Sequence, residues 1–476
     1  MKKYLILLLI VSFTISMLYM GAGCKKEAPT AEEVAEEAPA EEEVVEEAVA
    51  ELVLEGDGLA PETSETIYFR GWQFRTDVVE SNVARYNSEM GGNIDYGTVT
   101  GDYPTIMELQ LMANAPLDLI YGNPSSAVRY YDAGWITSVE SLPNIEEIKE
   151  AMYPNLLDAW TYKGELLGLN YFASTVGILF VNLEKAEEYG ITEADFPKTW
   201  DELYAQLPEL RDKGIETPYL PWWFSQWNGI GWCFNWEVLN RGGQIADPET
   251  HKAMMTVDGP AGETLRDWKE IFNAGLVPRE VLTYLEADHN HAWASGEFLY
   301  SPSNLSYGLQ TFNEPGGSAF AGKCGVVPYQ GQPWGLIDSG MYLMTNRDRS
   351  EGLTRDLKRF LSWYGYRDQQ GDLAVSNRWA EESNAYSAYK EVMESPENQE
   401  RFAKFAASPE DYANILEIYQ NTPYPKGTFS VIWADEFNSF SKETLLRFLA
   451  EDRPVDETIN DLNAKITELN QLYGLE

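Results

Sequence analysis

The sequence predicts an α/β fold with parallel-rich sheets flanked by helices. Between Thr66 and Tyr121 the apolar residues switch between strand and helix spacing in the order strand, helix, strand, helix, strand, which is how a parallel sheet covered by helices is written. The length of 476 residues exceeds what one core supports and implies two or more domains. With 15 Trp and 28 Tyr, the chain also carries more aromatic surface than a core alone requires. Several of these rings sit among polar residues, so they are expected partly in the core and partly along a ligand cleft.

Charge narrows the function. With 35 Lys and Arg against 76 Asp and Glu, the formal charge is −41, and phosphate-rich partners such as nucleic acid need a cationic surface. Three His leave little material for a histidine metal centre. His289 and His291 lie two apart beside Asp288, but no third ligand at a recognised spacing accompanies them, so they are read as surface residues, and neither metal nor cofactor is expected. Cys233 and Cys324 either pair or remain as two buried thiols.

The chain opens with Lys2-Lys3, an apolar stretch from Tyr4 to Met20, and Gly21-Ala22-Gly23 before Cys24. That order predicts a signal peptide over 1–23 with lipid attached at Cys24. An uncleaved anchor or ordinary cleavage are the alternatives, and each exports the protein. Residues 24–65 are dominated by Glu, Ala, Val and Pro; repeated Glu at i and i+4 repels and Pro29 and Pro39 interrupt helices, so a solvated acidic stalk is predicted.

Ile67-Tyr68-Phe69, Ile94 to Val99 and Leu117 to Tyr121 are the predicted strands of the first folded half, separated by helices around Val78–Met90 and Ile106–Met112. Ligands of such sheets sit beyond the carboxyl ends of the strands. Those ends nominate Trp72, Gln73, Asp102, Tyr103 and Asn123. A buried strand is predicted over Thr175–Val181, preceded by Tyr171, and Thr199 is the predicted N-cap of a helix starting Trp200-Asp201-Glu202. The turn-rich run from Pro218 to Trp227 places Trp223 and Trp227 toward the cleft. Trp232 and Trp236, four apart on a predicted helix, fit either a cleft or a core. A strand Phe298–Tyr300 ends in a polar loop that nominates Asn304, and an apolar stripe predicts a terminal helix over Val455–Leu475.

The segment Tyr162 to Leu203, with Tyr162-Lys163-Gly164, Val181-Asn182 and Pro197-Lys198-Thr199-Trp200 in that order, resembles the extracellular solute-binding proteins of sugar-type ABC transporters, the maltose-binding-protein-like family. Ala113 to Leu119, Tyr131 to Ile136, Gly325 to Pro328 and Gly340 to Thr345 are similar to further motifs of that family. The resemblance implies a two-lobe, type II periplasmic-binding-protein-like fold with the cleft between lobes. Lobe 1 would comprise 66–173 plus 337–395 and lobe 2 would comprise 174–336 plus 396–476, with a first hinge crossing at Ala173-Ser174-Thr175 and a return near Val327–Leu336. It also implies a monomeric, envelope-anchored receptor that captures a mono- or oligosaccharide by lobe closure and delivers it to a permease, and is no enzyme. Trp334, Asp338 and Arg378, the last in the predicted Asn377-Arg378-Trp379 loop, complete the expected ligand set. The alternatives are an exported carbohydrate-active enzyme, either a glycoside hydrolase or a lyase, and a surface receptor or adhesion protein without a transport role. No nucleophile-elbow, zinc-protease or phosphate-loop motif favours an enzyme.

Overall fold

The computed structural model describes residues 61–226 and 229–475. Cys24, the signal peptide and the stalk up to residue 60 therefore lie outside the described residues, as does Trp227.

In chain order the strands are β1 (Ile67–Gly71), β2 (Ile94–Thr98), β3 (Leu119–Gly122), β4 (Ile136–Thr137), β5 (Thr161–Tyr162), β6 (Glu165–Leu166), β7 (Leu169–Asn182), β8 (Tyr300–Asn304), β9 (Cys324–Val326) and β10 (Leu336–Thr345). Eight of them form one sheet along the path β2-β1-β3-β10-β7-β8, with β4 on β10 and β9 on β7. The β1–β2 and β1–β3 pairs are parallel, as strands separated by crossover helices must be. The pairings of β10 and β7 are antiparallel, so the sheet is mixed.

The sheet is organised around β7. Its 14 residues are buried except for a half-exposed Phe172, as expected of a β-branched and aromatic run covered on both faces. The first half pairs with β10 from Leu336↔Val176 to Tyr342↔Leu169. The second half pairs with β8 and β9. The strand changes partners at Gly177, where φ is +84° and an irregularity separates Val176 from Ile178. A Cβ there would stand 2.6 Å from the Trp236 ring, so only glycine lets the strand bend against that indole. A third segment joins this crossing. Ile337 N–H donates to Pro423 O at 3.0 Å and Thr175 Oγ1 donates to Thr422 Oγ1 at 3.3 Å.

Several local expectations hold. Thr199 Oγ1 accepts from Glu202 N–H at 3.1 Å as the N-cap of the helix Trp200–Asp212, and the terminal helix runs Val455–Tyr473. Three do not. Residues 377–379 lie inside the helix Ala374–Ser383 rather than in a loop, because no Gly or Pro interrupts that stretch. The strand expected over Phe298–Tyr300 instead spans Tyr300–Asn304, since pairing with β7 extends it past Pro302, and Ser303 and Asn304 end it. His289, read as a surface residue, is 1% exposed; its ring packs on Trp222 and lies 3.2 Å from Ser301 Oγ. Burial depresses its pKa to about 4, so it is neutral at pH 7. Cys233 and Cys324 are both buried and free. No helix of the described residues is long and apolar enough to cross a membrane, and no cluster of His, Cys, Asp and Glu among them could hold a metal ion.

Candidate functional site

Where β7 changes partners, three strands bring polar side chains together. Ser174 stands opposite Asp338 across the β7–β10 pair, and Val176 stands opposite Asn304 across the β7–β8 pair. Ser174 Oγ donates to Asn304 Oδ1 at 3.0 Å, and Asn304 Nδ2 reaches Asp338 Oδ2 at 3.4 Å. Burial, and next the negative charge of Glu286, push the Asp338 carboxyl up to about 6. Glu286 opens the helix Glu286–Ala294 and accepts from Tyr307 Oη at 2.7 Å. Tyr424 borders the same region. Burial raises its phenol, with the Ser125 and Ser430 hydroxyls opposing and the charges of Asp435 and Asp338 adding.

A second, aromatic patch stands at the carboxyl ends of β1 and β3. Half-buried Trp72 packs with its ring centroid 5.3 Å from that of Tyr103, 4.9 Å from Tyr121 and 5.6 Å from Tyr171. Tyr121 and Tyr171 stack at 4.5 Å. Tyr103 is fastened behind them, because its hydroxyl donates to Tyr121 O at 3.0 Å and accepts from Tyr121 N–H at 2.9 Å. Tyr171 Oη is enclosed beside the Trp72 indole; burial raises its phenol, and the Trp72 side chain opposes that rise. Tyr171 and Ser174 are three residues apart on β7, roughly 10 Å at strand rise.

The structure therefore brings together Trp72, Tyr103 and Tyr171 in one patch and Asn304 and Asp338 in the other. Gln73, Asp102 and Asn123 are exposed at the strand ends. Asp102 accepts from Thr105 Oγ1 at 2.7 Å, and Asn123 Oδ1 caps the helix Pro124–Asp132 by accepting from Ser126 N–H at 2.8 Å. Trp223 and Trp334 are 0% and 1% exposed. They pack in the interior with ring centroids 5.0 Å from Trp268 and 4.8 Å from Trp200, so a turn-rich sequence does not keep these rings at the surface. Arg378 is engaged between helices, donating to Glu382 at 2.6 Å, Ser81 at 2.9 Å and Asn82 at 3.1 Å. Ser174, Glu286, Tyr307 and Tyr424 were not among the sequence-nominated contacts. Nothing local separates Glu286 from the other carboxylates; only the packing of its helix places it near Asp338.

Solved structures share this architecture. Maltose-bound MalE3 of T. maritima matches with a TM-score of 0.65 at 17% identity, over 85% of this chain and 99% of that one. The cyclic alpha-maltosyl-1,6-maltose binding protein of Arthrobacter globiformis matches with a TM-score of 0.68 at 15% identity, over 85% and 98%. An ABC transporter solute-binding protein of Agrobacterium radiobacter K84, in complex with ribitol, matches with a TM-score of 0.66 at 14% identity, over 86% and 100%. The fold is thus that of the ABC solute-binding proteins, as expected. Residues 83–374 match the family model for bacterial extracellular solute-binding protein, and the chain belongs to that family. It is a family of exported binding proteins. No curated protein sequence matches the chain.

Proposed function

We propose that the chain is the receptor of an ABC importer, capturing a carbohydrate or polyol between two lobes and delivering it to a membrane permease without chemical turnover. The observation that carries this reading is the pairing of an aromatic patch, Trp72 with Tyr171, and a buried polar relay, Ser174-Asn304-Asp338, joined through Tyr171 and Ser174 on β7. Sugar rings offer C–H faces that suit an aromatic plane and hydroxyls that suit carboxylate and amide partners. Similar solved proteins hold maltose and ribitol, which supports the class.

In this reading the lobes are 66–173 plus 337–395 and 174–336 plus 396–476. The Pro423 carbonyl and the Thr422 hydroxyl, bonded to Ile337 N–H and Thr175 Oγ1, support a third crossing there, which moves residues 396–421 from the second lobe of that division to the first. Ligand contacts are Trp72, Tyr171, Asn304 and Asp338, with the exposed Gln73, Asp102 and Asn123 toward the rim. The exported chain is anchored as a monomer at the envelope by lipid on Cys24, a reading supported by the charged, apolar and small-residue order of its first 24 residues.

Calorimetry against maltose, longer maltooligosaccharides and ribitol, with product analysis alongside, tests the proposal. At least one should bind, and both Trp72→Ala and Asn304→Ala should weaken that binding at least tenfold. Binding unchanged in both variants overturns the site, and release of a hydrolysed or cleaved product overturns the receptor.

A further inference from the structure

We propose that Arg129 is a charge latch that holds the ligand cleft closed, a reading that rests on the two-lobe arrangement above. Arg129 lies on the helix Pro124–Asp132, which follows β3. One of its guanidinium nitrogens meets Glu108 at 3.1 Å, on the neighbouring helix Tyr103–Met112, and the other meets Asp435 at 3.2 Å. Asp435 belongs to the opposite half. It sits in the first turn of the helix Ala434–Ala450, which comes after the Thr422–Pro423 crossing. That helix packs against Gly229–Asn240, where a Cβ on Gly231 would stand 3.0 Å from Ser441 Oγ.

One cation thus serves two carboxylates from two halves. Its side chain is 18% exposed and its Nε is buried without a partner among the described residues, so the guanidinium is drawn out of water to make the bridge. The same boundary is crossed a second time by Lys426 Nζ and Asp158 Oδ1 at 2.5 Å. The two bridges are not equivalent. When the halves part, Arg129 keeps Glu108, whereas Asp435 is left facing Glu436 without its cation. A contact available only in the closed form shifts the population toward that form, and because both carboxylates are partly exposed the bias is one that salt can screen.

Distances between spin labels test the latch. Met112→Cys and Leu472→Cys place labels on two exposed positions, one on Tyr103–Met112 and one on the terminal helix, whose Tyr473 hydroxyl donates to Glu436 at 2.6 Å. The full chain is used in a Cys24→Ser background, since Cys233 and Cys324 are buried. Without any sugar, Arg129→Gln and Asp435→Asn should each at least halve the short-distance population. The two together should do no more than one alone, and the exchange Arg129→Asp with Asp435→Arg should restore it. A distribution that contains two populations yet ignores both substitutions overturns the latch alone. A single narrow distance in every variant, with and without saturating maltose and ribitol, overturns the two-lobe reading on which it rests.

Discussion

At the scale of single residues, the most informative group is Asp338. Asn304 Nδ2 stands 3.4 Å from its carboxylate, and burial with the charge of Glu286 raises its pKa from 3.8 to about 6. A carboxyl whose pKa is higher in the folded than in the unfolded chain binds its proton more tightly when folded. Its stabilising contribution is therefore full below about pH 4 and is lost as pH rises through about 6. Replacing it by Asn should flatten the pH dependence of stability across that window. At pH 7 the ligand-free protein should gain on the order of 1–2 kcal/mol once partial exposure is discounted, read by denaturant unfolding at pH 4, 5, 6 and 7. A variant that loses stability at pH 7 would show that the carboxylate form is the one the fold supports. The sequence points to Asp338 as a loop residue, whereas it lies within β10 because pairing with β7 begins at Leu336. Its coupling to Glu286 could not be read from the sequence, because 52 residues separate the two and only tertiary packing joins them.

At the scale of elements, the crossing itself is constrained by close backbone approach. Gly335 has φ of +75°, and a Cβ on it would fall 2.0 Å from Val176 O. Asn240 pins both sides of the residue, accepting from Gly335 N–H and donating to Gly335 O at 3.0 Å each. Gly335→Ala must displace either β7 or β10 and should cost about 3 kcal/mol or more. Gly331→Ala is the control: φ is +91° there but the Cβ meets open space, so only the conformational cost of about 1–2 kcal/mol remains. Equal losses in the two variants, measured by urea unfolding, would mean that the contact with β7 is unimportant. Helices and strands with strong periodicity, such as Val455–Tyr473 and the alternation from β1 to β3, were legible from spacing. The helix through Arg378 was not, because a family loop position was assigned to a stretch whose own residues favour helix. Trp223 and Trp334 mislead for a related reason: flanking Pro and Gly set the backbone path, whereas burial of the ring depends on what packs over it.

At the scale of the whole molecule, charge and connectivity matter most. A chain with a formal charge of −41 repels itself when compact. Its ion pairs mostly involve at least one exposed side chain, among them Lys163–Asp132 and Arg355–Glu62, and such pairs contribute little. Raising sodium chloride from about 0.02 to about 0.2 M should therefore raise the melting temperature measured by calorimetry, because screening relieves repulsion more than it weakens pairs. A fall would show that the pairs dominate. Buried pairs are the minority, and among them is Asp118, 0% exposed. Arg347 and Arg349 outweigh its desolvation and hold its carboxyl below the usual range.

What the sequence determined by itself was local and periodic: the alternation of strands and helices, the caps, the aromatic residue at the end of β1, and the order of motifs that points to the extracellular solute-binding family. These follow from backbone propensity and from burial patterns that repeat every two or 3.6 residues. The tertiary structure alone decided that β7 is one strand shared by both halves of the sheet, that Thr422 and Pro423 join the crossing, and that Ser174, Asn304 and Asp338 meet there with Glu286 nearby. Each of those depends on pairing between segments far apart in the chain, whose choice is made by packing and register and leaves no local periodic trace.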